Sequence, residues 1–356
     1  MTRLAPARPS ASRRVRRRRT LTVLGVLVVV PVLVLVAGGG WFWWQLDPPG
    51  GPGDPVEVVI QRGWGVGEIG EQLQQDGVIG SAFVFKAYAQ AKSDTSFEAG
   101  TYDMREDLGV RGAVNALKAG PRIDYNVLTE PPGLWLTQIA ARVAEQIPGM
   151  NADTFLQAAR NNSVRSPYQP DDVNTLEGLL FPDTYNIAAG DDERKVVQIL
   201  SDTFVAKANA LGLADAEVRG YGPYDIIKIA SMIEAEAKVP EDRAKIASVI
   251  YNRLAAGMPL QIDATLIYAR GDPANRSLSN ADKQIDSPYN TYANKGLPPT
   301  PIASVTEASL RAALNPDETD YLYYVVSDTD GRHAFATTLR DHERNIAAAR
   351  QAGVLP

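Results

Sequence analysis

The sequence predicts an α+β protein carried on a single N-terminal transmembrane helix, with a small α+β module first and a larger α/β domain after it. Three observations predict this. Thr20 to Leu46 is an uncharged run long enough to cross a bilayer. Within residues 56–120 a strand, two helices, a second strand and a third helix follow one another. From Ile123 a longer series of strand and helix patterns restarts, and 356 residues with 45% hydrophobic content supply material for two cores.

The N-terminal part justifies its assignment through charge. Eight of the 36 basic residues precede Asp47 and none of the 42 acids does, so beyond it 28 cations face 42 acids. Residues 1–19 are a basic tail, expected in the cytoplasm. Residues 20–46 are the span, closed by Trp41, Phe42, Trp43 and Trp44 as an interfacial belt, which places the body outside the membrane. A cleavable signal peptide would have a shorter apolar region and a small-x-small site, and neither is evident. The acidic body argues against nucleic acid as a partner. Cysteine is absent, which excludes disulfides, thiol catalysis and cysteine-ligated zinc. No cofactor is expected, and the only histidines, His333 and His342, make a poor metal set without cysteine beside them.

Asp47 to Pro55, DPPGGPGDP, reads as a short linker that holds the body close to the membrane. Val56–Ile60 is a β-branched strand. Gly63, Gly65 and Gly67 after it resemble a phosphate loop only loosely, with no mononucleotide-type unit following. Helices are expected through Ile69, Leu73 and Val78, then over Ser81–Ala91, with a strand at Phe97–Tyr102 and a helix over Val110–Ala119. Ile123–Thr129 is a strand, Pro131-Pro132-Gly133 a turn, Thr137–Gln146 and Asn151–Asn161 helices, and Ser163–Asn174 a polar loop. Glu193–Leu211 is a long amphipathic helix. Another helix opens near Glu241 with Ile246, Ile250 and Leu254 on one face and ends at Gly257. A hairpin over Tyr321–Val326 and His333–Thr337 turns at Asp328–Gly331, and a helix over Arg340–Gln351 closes the chain.

The stretch Ile226–Ala237, between the long helix and Pro240, carries the chemistry. Helical spacing gathers Ile226, Ile229, Ala230, Ile233 and Ala237 into an apolar stripe with Glu234 on its edge. Apolar neighbours disfavour a carboxylate and keep it proton-bearing, as a general acid requires. Glu236, two positions on, points to a different side and is equally suited to pairing with Lys238. The competing reading of Glu234 is the wet rim of an ordinary amphipathic helix. Downstream, Gln261–Tyr268 and Ser287–Tyr292 place polar and aromatic side chains on proline-stiffened loops, a composition that suits a saccharide site as well as it suits turns.

Six collinear blocks resemble the endolytic murein transglycosylases, the MltG or YceG-like family: EGLLFPDTY from Glu177, IASMIEAEA from Ile229, VIYNRL from Val249, QIDATLIYA from Gln261, SPYNTY with GLPPTPI after it, and YLYYVV followed by Gly331-Arg332-His333. The resemblance implies a YceG-like catalytic domain over residues 121–356 and a LysM-like module over 56–120 that contacts glycan. It implies an endolytic lytic transglycosylase that cuts between N-acetylmuramic acid and N-acetylglucosamine near the membrane, leaves a 1,6-anhydro end and terminates elongation. Peptidoglycan strands are the implied substrate and peptidoglycan synthases candidate partners. The motif's first glutamate, Glu234, is the implied catalytic acid. Glu236, Gln261, Asp263, Thr265 and Asn290 are candidates for orienting the sugar, Tyr268, Tyr289 and Tyr292 for stacking, and His333 for lining the cleft. Asp263 suits a helix start and Tyr268 a core position equally well. Ala264 stands where the family commonly has proline, and PPGLW at Pro131–Trp135 replaces the more usual P-E-G turn. A non-catalytic wall-binding scaffold and a water-using muramidase are the alternatives.

Overall fold

The computed structural model describes residues 29, 30 and 32–355, in two compact units, one ending at Ile123 and the other beginning at Asp124. The basic tail, residues 1–19, lies outside the described residues. So does part of the expected span. Residues 32–46 form helix α1, and among the described residues no helix is long and apolar enough to cross a membrane.

In the first unit, β1 (Pro55–Ile60) pairs antiparallel with β2 (Gly100–Arg105), Val58 opposite Tyr102. Helices α2 (Val66–Gln75), α3 (Ala82–Ala91) and α4 (Gly109–Ala119) close over Val58, Ile60, Leu73, Phe85 and Leu117, all buried. Period-2 alternation decides β2: Tyr102 and Met104 face inward, three residues later than the strand expected from Phe97. The expected linker is no free tether. Gln45 and Leu46 at the end of α1 are buried in this unit, and Gly53 and Asp54 are hydrogen-bonded to Glu106. At Gly80 a Cβ would sit 2.3 Å from the Gln45 amide oxygen, so a larger residue would require the Gln45 side chain to move.

The second unit corrects the α/β expectation. Its strands pair only antiparallel among the described residues, as two separate ribbons, β3 (Tyr125–Thr129) with β4 (Thr184–Ala188) and β5 (Tyr323–Val326) with β6 (His333–Ala336). It is an α+β unit whose bulk is helical. Its helices are α5 (Leu136–Gln146), α6 (Ala152–Arg160), α7 (Glu193–Ala210), α8 (Pro223–Glu236), α9 (Arg243–Ala255), α10 (Asp263–Arg270), α11 (Glu307–Leu314) and α12 (Leu339–Gln351). The sequence patterns leave β4 and α11 unassigned, and mark α10 only through Asp263 as a suitable helix start. The Thr306 side chain caps α11 at the Ser309 N–H and Asn315-Pro316 follows its end, signals that would have located it.

Helix α8 is the centre of the core. Pro223 at its first turn starts it, and every residue from Ile229 to Ile233, with Ile226 and Ile227, is buried. It is therefore covered all round, by α9, α10 and α11 among others, rather than amphipathic.

Candidate active site

Because α8 has no wet face, its chemistry emerges at its C-terminal end. Glu236 is its last residue, and Pro240 ensures that the chain turns there. The Glu236 carboxyl is set into the wall of a cleft of about 330 Å3, which Asp263 and Tyr292 also line. Tyr324, on β5, donates its hydroxyl to Glu236 Oε2 at 3.2 Å. Burial, and then the neighbouring Asp263 carboxylate, push Glu236 up to about 7, while the Tyr324 hydroxyl and the Ala264 N–H pull it down.

Glu234 makes different contacts. Its Oε2 accepts from both the N–H and the hydroxyl of Thr306, at 3.0 and 2.5 Å, so the carboxylate anchors the start of α11. It does not line the cleft. Of the two glutamates in the motif it is therefore Glu236, at the exit of the buried helix, whose side chain reaches this cleft, while Glu234, the expected leading acid, is engaged by Thr306. Glu234→Gln should weaken these charge-assisted bonds and cost about 1–2 kcal/mol in denaturant titration. Turnover per folded molecule should be kept.

The other walls come from α9, α10, β5, β6 and α12 and the loops between them. Asp263 opens α10 and accepts the Tyr292 hydroxyl at 2.5 Å. Gln261, in a left-handed conformation at φ 54°, is exposed to the cleft and accepts from Arg253. Arg253, 8% exposed, donates to the carbonyls of Leu322, Leu260 and Pro259, tying α9 to β5 and to the segment before Gln261. The β5–β6 turn packs so close to Lys238 that a Cβ on Gly331 would lie 2.6 Å from the lysine Cβ, and Gly331 already holds φ +85°. That contact sets His333 in the cleft wall, where its backbone N–H and ring Nδ1 both meet Asp242 Oδ2, at 2.7 and 3.0 Å. Tyr324 meets the His333 ring edge-on, with centroids 5.3 Å apart. His342 of α12 completes this side, stacked on Tyr323, and burial followed by the Arg253 cation hold it below the usual imidazole value.

The cleft therefore gathers Glu236, Gln261, Asp263, Tyr292 and His333 from the sequence-derived candidates. Four others lie elsewhere in the fold. Thr265 is fully buried and bonds to Ile262 and Thr291. Asn290 is fully buried, donating to Lys283 and Ile285 carbonyls and accepting two backbone N–H groups, so it shapes the loop that presents Tyr292. Tyr268 and Tyr289 meet in a tilted ring contact, centroids 4.9 Å apart, and do not line the cleft, their hydroxyls engaged by Glu177 and Thr300. Sequence reasoning missed Arg253, Tyr324, Asp242 and His342. Arg253 had a signal: a cation three residues after Ile250 falls on the apolar face of α9.

Glu177 is the buried carboxyl of that second cluster. It accepts the Leu136 N–H at the start of α5 and the Tyr268 hydroxyl, and burial pushes it to about 7. The folded protein thus holds this proton more tightly than the unfolded chain, whose carboxyl titrates near 4.5. The stabilisation is complete below that value and is lost as pH rises through about 7, on the order of 3 kcal/mol. Melting curves should fall between pH 5 and pH 8, and Glu177→Gln should flatten the fall.

Among the described residues no cluster of three or more histidine, cysteine, aspartate or glutamate residues could hold a metal ion. Residues 58–348 match the family described as YceG-like. The chain is 33% identical over 303 residues to the endolytic murein transglycosylase of Bacillus subtilis strain 168, covering 81% of this chain and 83% of that protein. It is 32% identical over 323 residues to the endolytic murein transglycosylase of Streptococcus pneumoniae strain R6, covering 82% of this chain and 58% of that longer protein. Among solved structures, a putative yceG-like protein from Listeria monocytogenes superposes with a TM-score of 0.55 at 29% identity, over 82% of this chain and 99% of that one.

Proposed function

From its place in the YceG-like family, to which this chain belongs, we propose that the protein is an endolytic murein transglycosylase in which Glu236 is the catalytic acid and base. The observation that carries the assignment is one carboxyl, raised to about 7, at the mouth of a cleft lined by hydrogen-bonding and aromatic side chains. In the reaction, protonated Glu236 gives its proton to the oxygen joining N-acetylmuramic acid to the next N-acetylglucosamine as the bond to the muramyl C1 breaks. The muramyl C6 hydroxyl then attacks C1, and its proton passes to the Glu236 carboxylate. A C1–O6 bond replaces the glycosidic bond, the leaving sugar gains the hydroxyl proton's equivalent, and the enzyme returns to its starting state.

One carboxyl suffices because the attacking alcohol belongs to the substrate. Its effective molarity replaces the second carboxylate that a hydrolase uses to prepare water, worth up to ~7–11 kcal/mol in well-oriented cases. Asp263 beside Glu236 supplies negative charge for the cationic sugar that develops at C1, and the Tyr324 hydroxyl holds the leading carboxyl in place. Gln261, Tyr292 and His333 line the path of the glycan.

The membrane anchor over residues 20–46, the extracytoplasmic body and the LysM-like module belong to this same proposal. The arginine tail before an uncharged run supports the orientation. The order β1, α2, α3, β2 supports a glycan-contacting module over residues 56–120. Cleavage close to the membrane would fall on strands still held by synthases, and so end their elongation. Digestion of purified sacculi tests the reading. 1,6-Anhydro ends are the expected product, new reducing ends would indicate a muramidase, and no release would indicate a scaffold.

A further inference from the structure

A second cavity, of about 290 Å3, draws part of its wall from residues next in sequence to those of the catalytic cleft. Ala235 lines this cavity while Glu236 lines the cleft, and Ala264 lines it while Asp263 lines the cleft. Its floor is apolar, made by Leu134, Ile267 and Ile302 with the two alanines. Trp135, Gln138 and Arg276 also line the cavity.

We propose that this cavity is a subsite for the carboxylate-bearing peptide stem of a muramyl sugar next to the cut bond, with Arg276 and Trp135 as specificity-determining residues. The proposal rests on the reading of the protein as a lytic transglycosylase of glycan strands. Its support begins with charge. No acidic residue lines the cavity, although acids outnumber bases in the chain, and among the described residues Arg276 makes no hydrogen bond or ion pair. An unpaired guanidinium beside an apolar floor matches a carboxylate on a short aliphatic peptide, the fork taking both oxygens.

Both groups are held in advance of binding. Arg270 donates to the carbonyls of Asn275 and Ser277, on either side of Arg276, and pairs with Asp282, so the loop presents its cation from a fixed backbone. Trp135 is the N-cap of α5, its N–H bonded to Gln138 Oε1, and its ring meets Tyr268 edge-on at 5.1 Å. Tyr268 is itself held by Glu177. The buried aromatic cluster thus orients the wall of the subsite, and an oriented wall lowers the ordering cost of binding. Pro132–Trp135 and Ala264 lie far apart in sequence and both line this one cavity.

The test compares kcat/KM, read as anhydro ends formed, on stem-bearing glycan strands and on strands stripped of their stems by an amidase. The native protein should prefer stem-bearing strands by about tenfold, the value of one charge-assisted pair. Arg276→Ala should bring the ratio close to one, Arg276→Lys should keep part of the preference as a point charge, and Lys195→Ala, an exposed cation on α7, should leave the ratio as it is. A native protein without preference, or an Arg276→Ala protein that keeps it in full, overturns the subsite. Absence of anhydro ends from either substrate with the native protein instead overturns the parent reading.

Discussion

Glu236→Gln is expected to lower kcat by about 10²–10⁴-fold, the contribution typical of a placed proton donor, with the fold intact. The substitution keeps the shape of a side chain already held by the Tyr324 hydroxyl and removes the proton that the leaving oxygen needs. Because the acid form of Glu236 does the work, and burial with Asp263 holds it at about 7, kcat/KM should fall about tenfold per unit of pH above that value. Asp263→Asn removes the second of the two causes, so the alkaline limb should move to lower pH. Anhydro ends counted across a pH series on sacculi check both. A Glu236→Gln protein that still forms them, beside a Glu234→Gln protein that does not, would return the role to Glu234.

Arg253→Met should be the most damaging change to the fold. The guanidinium serves the carbonyls of Leu322, Leu260 and Pro259 from a nearly buried position, and methionine can fill its volume without meeting any of them. Leaving such acceptors unpaired in the interior costs about 3–5 kcal/mol, which equilibrium unfolding in urea would read directly. The same contacts fix Gln261 and β5 against α9, so the surviving folded fraction should also turn over slowly. Arg253→Lys should rescue little, since one ammonium cannot reach three carbonyls arranged for a fork.

Much of this protein was legible in the order of its residues. Apolar period and cap chemistry located most helices within a residue or two: Ser81 and Asn151 do cap α3 and α6, and Pro223 does open α8. The blocks around Glu236, Gln261 and His333, scattered over about a hundred residues, do meet at one cleft. Local patterns report such features because they depend on bonds between near neighbours in the chain.

What each member of a block does was decided elsewhere. Thr265 and Asn290 look like sugar-binding side chains in sequence, yet both spend their hydrogen bonds inside the fold. Glu234 and Glu236 are two residues apart and chemically identical, and a helical wheel ranks them by assuming one wet face. Tertiary packing removes that face: α11 covers Glu234 and Thr306 claims its oxygen, while the end of α8 leaves Glu236 beside Asp263 and Tyr324. The order of residues is enough to place a carboxylic acid at the close of this helix amid apolar neighbours. Only the three-dimensional packing decided which one lines the cleft and which one is tied to Thr306, because desolvation and charge at a site are set by groups brought from distant parts of the chain.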